Sequence, residues 1–410
     1  MKKYNINTVP IDKVVFFTDN MQKGAERTVK RIESDVHKFD SNGIILQKNR
    51  DGNWHYNPLR IAAAATQLVM NYQKNPDAET YKAIEKYVDF LEHNTAIVDY
   101  NHGFPLYIYD FDFPLHANPK ETMYAPWVSG LAQGQVLILI SMLDNVFSRS
   151  FKEWGNQVFI SMIKEPCGKI DKNGRYWIDE YPHPDVFDMT LNGHINGIMG
   201  LYYWYLAHNN KLVYEYLQKA IYTVEYYAEQ YRNPGHASYY CLAHKVLCDK
   251  VDYKYHKCHI KQFAWLYDIT GHEFFNDFKE KLIGDMELDI VDKTPITPEE
   301  QNTINVIIDF FKKNGNGPNE IWPNMQGVCL GFTVDFFEKN KLTKKVIREI
   351  FKMGGYVFND DFDPFYKIKI AFKKTNEIFN IADMAKDKEK PIAPYIVITE
   401  SNMVNSKETA

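Results

Sequence analysis

Residues 127–147 read WVSGLAQGQVLILISMLDNVF, and this stretch decides the fold class. Its apolar residues fall on nearly every face of a helix, which predicts a helix in the protein interior. The apolar run that starts after Gln135 is far shorter than the ~20 residues that cross a bilayer. The stretch therefore indicates a buried helix rather than a membrane span.

Further helices are predicted on both sides of this stretch, some apolar all round and others amphipathic. They cover 59–73, 78–93, 191–207, 212–231, 259–270 and 273–282. Buried and amphipathic helices that alternate in antiparallel pairs are typical of an (α/α) toroid or an incomplete helical barrel. We therefore expect a mainly α protein whose inner-helix ends and loops surround a cleft. An irregular bundle is the alternative.

Changes in composition divide the chain into four parts. We expect an N-terminal extension with a helix and a hairpin, an (α/α) domain, a small, mostly helical appendage and a partly disordered tail. These parts cover residues 1–50, 51–284, 285–384 and 385–410.

The charge balance limits the possible partners. The 53 acidic and 48 basic residues give a formal net charge of -5, so no general basic field attracts nucleic acid or a membrane. The first 20 residues lack the apolar stretch of a signal peptide, and the five cysteines lack disulfide-framework spacing. We expect a cytoplasmic protein with reduced thiols.

Cofactor motifs are absent from the sequence. Neither GxGxxG nor GxxxxGK[ST] occurs, and GxSxG is missing too. Five potential zinc ligands lie close together, but without CxxC or HExxH spacing: His244, Cys248, His256, Cys258 and His259. We expect no cofactor and no metal site.

Two polar segments are candidates for chemistry. Asp179-Glu180-Tyr181-Pro182 precedes a predicted buried helix, which places a carboxylate at the mouth of that helix. Tyr255, His259 and Gln262 share one face of a later helix. Each segment can also be interpreted without function, the first as a solvated loop and the second as a buried polar cluster with satisfied hydrogen bonds.

Five segments in the same order resemble the D-glucuronyl C5-epimerase family, which acts in heparan sulfate and heparosan maturation. Residues 53–62 resemble its Y-x-P-x-x-I-A-Q-Y entry helix, in which Ala63-Ala64 replace the final Q-Y. Residues 127–135 resemble W-x-S-x-M-A-Q-G-Q, the most specific match. Residues 179–201 are similar to E-E-Y-P…L-N-G-F…G-L. The segments around Tyr240 and Tyr255 are similar to Y-D-L-R-H and D-Y-H-x-x-H-I-x-Q-L. Only the helical part of the larger animal members corresponds to this chain.

The resemblance implies roles for four catalytic residues. Glu180 would remove the C5 proton of glucuronic acid, and Tyr255 would exchange a proton on the opposite face of the ring. Tyr181 and Tyr240 would line the same cleft. The chemistry agrees, since epimerisation requires two proton-transfer groups on opposite sides of one carbon.

The resemblance also implies a set of substrate-binding residues: Arg60, Trp127, Gln133, Gln135, Asn192, His244, His256, Lys257, His259 and Gln262. This chain departs from the family at Cys241 and Ala243, which replace the Asp and Arg of Y-D-L-R-H. An arginine can hold a substrate carboxylate through two hydrogen bonds. Another cation would have to replace it, and the sequence offers Lys245, Arg60 or Lys257.

The resemblance predicts a cofactor-independent isomerase that converts D-glucuronic acid to L-iduronic acid residues in a heparosan-like polysaccharide. Its partner would be an acidic polysaccharide or oligosaccharide, and the family suggests a homodimer. A polysaccharide lyase on the same scaffold is the alternative, because it removes the same proton. A catalytically inactive glycan-binding protein is a further alternative, prompted by Ala243.

Overall fold

The computed structural model describes residues 3–9, 19–313, 329–332, 345–346, 349, 379–380 and 395–398. This described part is mostly helical. Its ten α-helices are α1 (Asp19–Val29), α2 (Pro58–Lys74), α3 (Ala78–His93), α4 (Gly130–Leu143), α5 (Lys152–Ile163), α6 (Leu191–His208), α7 (Lys211–Tyr231), α8 (Lys250–Thr270), α9 (Glu273–Asp292) and α10 (Pro298–Lys313). The predicted mainly α class is confirmed.

The helices form an inner row and partner helices. α4 packs against both α2 and α6, and α6 also contacts α8. The helix that follows each of the first three inner helices packs on it, namely α3 on α2, α5 on α4 and α7 on α6. Every residue of α4 and the first fourteen residues of α6 are buried, as the all-round apolar pattern predicts.

Glycines bring α4 and α6 unusually close. A Cβ atom on Gly134 would lie 2.8 Å from Cα of Gly197, and one on Gly200 would lie 2.7 Å from the Gly134 carbonyl oxygen. Any larger residue would force the two backbones apart, because cores are close-packed. This contact fixes the middle of α6 against the second turn of α4.

Short antiparallel strands lie in the segments that connect the helices. They are β1 (His37–Phe39), β2 (Ile45–Lys48), β3 (Trp54–Tyr56), β4 (Val98–Asp99), β5 (Leu106–Tyr109), β6 (Phe113–Pro114), β7 (Thr122–Met123), β8 (Trp127–Val128), β9 (Gly168–Ile170) and β10 (Tyr176–Ile178). The sheets run β1-β2-β3, β4-β5-β8, β6-β7 and β9-β10. The β1-β2-β3 sheet contains the hairpin expected before residue 50. β10 ends directly before the Asp179-Glu180 pair.

The chain divides into two compact units. The first comprises Met1–Asn233 and Ala237–Ile283, and the second comprises Pro234–His236 and Gly284–Ala410. Residues 1–50, described from the sequence as an N-terminal extension, are part of the first unit.

The described part of the second unit combines α10 with a three-stranded sheet, which the prediction of a mostly helical appendage does not include. This sheet contains β11 (Cys329–Phe332), β12 (Phe379–Asn380) and β13 (Tyr395–Ile398), in the order β12-β11-β13. β13 lies in the tail that we expected to be partly disordered. The rest of that tail is outside the described residues. Within the described residues, no helix has the length and apolar character needed to cross a membrane.

Candidate active site

Glu180 projects from the end of β10 towards the first turn of α6. It is 3% exposed, and the side-chain amide of Asn192 donates to its Oε2 at 3.3 Å. A Cβ on Gly193 would lie 2.2 Å from the same oxygen, so only glycine leaves room for this carboxylate. The neighbouring Asp179 is anchored elsewhere, 2.9 Å from the ammonium of Lys169. The sequence thus places two adjacent acids in separate environments.

Burial makes Glu180 a much weaker acid than an exposed glutamate. It raises the pKa of Glu180 from 4.5 to about 8, and the negative charges of Asp188 and Asp179 add to the increase. Hydrogen bonds from Tyr181 and Tyr240 oppose the shift without cancelling it. A carboxyl group that titrates near neutral pH can both take and give a proton during turnover.

Three tyrosines surround this carboxyl group. The hydroxyls of Tyr181 and Tyr240 lie 3.4 Å apart, and the rings of Tyr240 and Tyr255 meet edge to face at 4.7 Å. Burial, and next the charge of Glu180, raise the pKa of all three phenols above their ordinary value. The resting site therefore contains neutral phenols that can donate protons.

Two adjoining cavities in the first unit meet at these side chains. The Glu180 cavity has a volume of about 370 Å³, and the Tyr240 cavity has a volume of about 460 Å³. Five residues line both: Arg50, Phe113, Tyr181, Lys254 and Tyr255. Because Glu180 and Tyr255 line the same cavity, the two predicted proton-transfer residues are brought together.

Cationic side chains line the Glu180 cavity. Arg60 is largely buried, and its Nε donates to the side-chain oxygen of Gln47. Burial lowers the pKa of Arg60, and the nearby phenols of Tyr109 and Tyr255 oppose that shift. The ammonium of Lys254 lies 4.8 Å from the centre of the Tyr255 ring. The cavity therefore combines a carboxyl group, phenols and three basic side chains, those of Arg50, Arg60 and Lys254.

Polar groups without protein partners also face this cavity. Among the described residues, the buried Oδ1 of Asn192 and Oε1 of Gln262 have no hydrogen-bond partner. Both residues line the Glu180 cavity, and the Gln262 amide donates to the Asn192 carbonyl at 2.8 Å. A buried acceptor without a donor is costly, so these two oxygens leave the residues that line the cavity incompletely satisfied.

Three predicted substrate-binding residues of the W-x-S-x-M-A-Q-G-Q segment lie outside both cavities. Trp127 stacks on Tyr109 at 4.1 Å and lines a separate cavity of about 710 Å³. Gln133 accepts from the Tyr107 amide at 2.9 Å, and Gln135 donates to Thr66 at 3.3 Å. The two glutamines hold loops and helices to α4, because a helix buried on all faces has to satisfy its polar side chains internally.

Three predicted residues of α8 also point away from the cavities. His256 accepts from the Ser238 amide at 2.8 Å, and its Nε2 lies 2.8 Å from the Leu282 carbonyl oxygen. His259 contacts the Ser238 hydroxyl at 2.9 Å, and Lys257 forms an exposed ion pair with Asp252 at 3.0 Å. The histidines connect α8 to the loop before Tyr240 and do not contact either cavity.

His244 belongs to a separate cluster. Its Nδ1 lies 2.9 Å from Oδ1 of Asp188, and the Nε2 of His116 lies 3.0 Å from the same oxygen. Together with Cys241 these residues form the group of donor atoms, among the described residues, that could hold a metal ion. Of the five potential zinc ligands named from the sequence, only His244 belongs to it. Cys241 lies three residues before His244, whereas His116 and Asp188 come from distant segments, where spacing rules give no signal.

Several cavity-lining residues from the N-terminal segment were not predicted from the sequence. Gly24, Ala25 and Thr28 of α1 and Gln47 of β2 line the Glu180 cavity, and Arg50 lines both cavities. These contacts join residues far apart in the chain, and no local pattern marks them. Asn196 was detectable, because it follows Asn192 by one helical turn and also lines the cavity.

A buried carboxyl group surrounded by phenols is equipped for proton transfer. Residues 102–284 match the family described as "D-glucuronyl C5-epimerase C-terminus", which supports the class of carbohydrate epimerases, isomerases that invert a carbon of a sugar ring. The predicted family is thereby confirmed.

Other comparisons are less informative. The cellobiose 2-epimerase from Bacillus thermoamylovorans B4167 is 14% identical, with 68% of this chain and 79% of that chain covered and a TM-score of 0.46. None of the curated proteins matches the chain.

Proposed function

We propose that the protein is a uronosyl C5-epimerase, which converts D-glucuronic acid to L-iduronic acid residues within an acidic, heparosan-like polysaccharide on an (α/α) toroidal scaffold. The observation that best supports this proposal is that Glu180 and Tyr255 line one cavity together with Arg60. A reaction that inverts one carbon requires a base, an acid on the other side and a partner for the substrate carboxylate. These three residue types meet in the Glu180 cavity.

The reaction begins when the ionised form of Glu180 removes the C5 proton. The electron pair moves into the adjacent carboxylate and gives an enolate-like intermediate, whose extra negative charge Arg60 and Lys254 stabilise. Fixed charges in a site without bulk water stabilise such a species strongly. Tyr255 then donates its phenolic proton to the opposite face of C5, which leaves an L-iduronic acid residue.

The active site must then be reset. After one turnover Glu180 carries the extra proton and Tyr255 has lost one. Glu180 releases its proton to water, and Tyr255 takes one from water, once the product has left the cavity.

Arg60 is our choice for the cation that replaces the family arginine at Ala243. Of the three candidates from the sequence, Arg60 lines the cavity, whereas Lys257 pairs with Asp252 and the Lys245 ammonium lies 5.4 Å from the centre of the Tyr239 ring. Arginine also offers two parallel donors to a carboxylate. The departure at position 243 is thus compatible with activity.

The test is incubation of the full chain with heparosan in deuterated water. We expect deuterium at C5 and formation of iduronic acid residues, followed by mass spectrometry and NMR. Glu180→Gln should abolish exchange, whereas the matched control Glu229→Gln, on the exposed face of α7, should behave as the parent.

Two other outcomes would contradict the proposal. Ultraviolet absorbance from an unsaturated product would identify a polysaccharide lyase, because β-elimination follows the same proton removal. Saturable binding of the polymer without deuterium incorporation or absorbance would identify a glycan-binding protein.

A further inference from the structure

Four side chains from three distant segments converge beside the Tyr240 cavity. They are His116, after β6, Asp188, before α6, and Cys241 and His244, after Tyr240. Their potential ligand atoms all lie within 4.8 Å of one another. We propose that they bind a zinc ion, in a site that takes no direct part in the reaction proposed above.

The distances fit tetrahedral coordination. Zn–N and Zn–O bonds of about 2.0–2.1 Å and a Zn–S bond of about 2.3 Å place neighbouring ligand atoms roughly 3.3–3.6 Å apart. Asp188 Oδ1 lies 3.0 Å from His116 Nε2 and 2.9 Å from His244 Nδ1. Cys241 Sγ lies 3.4 Å and 3.8 Å from the same two nitrogens. Small outward shifts would open the space for one ion.

The surroundings of the ligands also fit a metal. Both nitrogens of His244 face acidic oxygens, because its Nε2 lies 2.7 Å from Glu121. With zinc on Nδ1, a neutral imidazole keeps its proton on Nε2 and directs it to Glu121, an arrangement common around zinc-bound histidines. The second oxygen of Asp188 accepts from the Thr190 hydroxyl at 2.6 Å, which orients the first towards the ion.

The charges balance within the site. One aspartate and one cysteine thiolate carry two negative charges, and two neutral imidazoles carry none, so Zn²⁺ makes the group neutral. Neutrality matters because Asp188 and Cys241 are fully buried, where uncompensated charge is costly. Nitrogen and sulfur donors favour zinc over magnesium or calcium, which prefer oxygen ligands alone.

Four protein ligands close the coordination sphere, which is typical of a structural zinc. The ion would connect the segments that carry Tyr240 and the start of α6. These already meet, because the Leu191 amide donates to the Tyr240 carbonyl at 3.2 Å, and the His116 ring lies 5.8 Å from that of Tyr240. We infer that the metal fixes Tyr240 in the cavity wall.

The first experiment uses the full-length parent protein. After dialysis against a chelator, titration with Zn²⁺ should show one tight site per chain, and X-ray absorption should show one sulfur ligand at about 2.3 Å. Co²⁺ in place of zinc should give a thiolate-to-metal charge-transfer band. The absence of a tight site, or a bound metal without a sulfur ligand, would overturn the proposal.

Variants then locate the site. Cys241→Ser should remove the charge-transfer band, whereas Cys248→Ser, a buried cysteine seven residues further along, should retain it. Glu121→Gln leaves all four ligands in place and should weaken zinc binding by about 10- to 100-fold. Metal binding in Cys241→Ser equal to that of the parent would refute the assignment, and the X-ray absorption result decides the question if this variant does not fold.

Discussion

Replacing Gly193 by alanine tests whether α6 confines the catalytic carboxylate. The new Cβ would lie 2.2 Å from Oε2 of Glu180 and 2.5 Å from its Cβ. Non-bonded carbon and oxygen atoms approach to about 3.5 Å, so the carboxylate has to shift by about 1 Å or more. Rotation of the carboxyl group does not relieve the second contact, because the Glu180 Cβ is fixed to the backbone.

This displacement should cost more activity than stability. A 1 Å misplacement of a catalytic group can reduce the rate by about 10²-fold. Overpacking costs about 1–3 kcal/mol, and removal of a glycine from a helix returns about 0.5–1 kcal/mol. We expect Gly193→Ala to lose about 10²-fold in deuterium incorporation at C5 and to lower the free energy of unfolding by at most about 2 kcal/mol.

The matched control is Gly284→Ala, also within a helix, where no described atom lies within 4 Å of the added Cβ. It should retain parent activity and gain about 0.5–1 kcal/mol in the free energy of unfolding. Deuterium exchange and denaturant unfolding measure both quantities. Parent-like exchange in Gly193→Ala would refute the position that we assign to Glu180.

Three further predictions concern the Glu180 cavity. Burial raises the pKa of Glu180 from 4.5 to about 8, so the native protein retains a proton that the unfolded chain releases. Glu180→Gln should therefore be more stable than the parent in denaturant titrations, by a margin that grows by about 1.4 kcal/mol per pH unit from pH 4.5 to about 8. A margin that does not change with pH would contradict the raised pKa. Tyr255→Phe should still exchange the C5 proton of glucuronic acid, but its rate of iduronic acid formation, measured by NMR, should fall by about 10²–10⁴-fold. An equal loss of exchange and of iduronic acid formation would show that Tyr255 is not the second proton donor. Lys254→Met should lower kcat/KM by about 10- to 100-fold, while Lys257→Met, exposed on the same helix, should not change it. The reverse result would support Lys257, one of the substrate-binding residues predicted from the sequence.

The helices could be predicted from the sequence because the pattern of apolar residues along the chain reflects which faces of each helix are buried. α4 and α6 are buried on all sides, and both were recognisable from apolar residues on every face. The position of Glu180 at the mouth of α6 was also predictable, because the acid and the helix are neighbours in the chain. Local patterns are reliable where the physical cause is local.

The sequence could not predict which polar residues of a motif face the cavity. Gln133 and Gln135 belong to the most specific family segment, yet both satisfy groups inside the protein. Lys257 and Lys254 are three residues apart on α8, and only Lys254 lines the cavities. The choice depends on packing partners that lie far away in the chain, among them Arg50 and α1.

The shared wall between the two cavities has a consequence for the length of the substrate. Tyr181 and Tyr255 face both spaces, so a saccharide that extends through both would have neighbouring sugars on each side of the reacting ring. A single uronic acid would fill one space and leave the other to solvent. The rate should therefore rise along a series of oligosaccharides of increasing size and level off once both spaces are occupied, which is the behaviour of an enzyme that modifies sugars in the middle of a polymer.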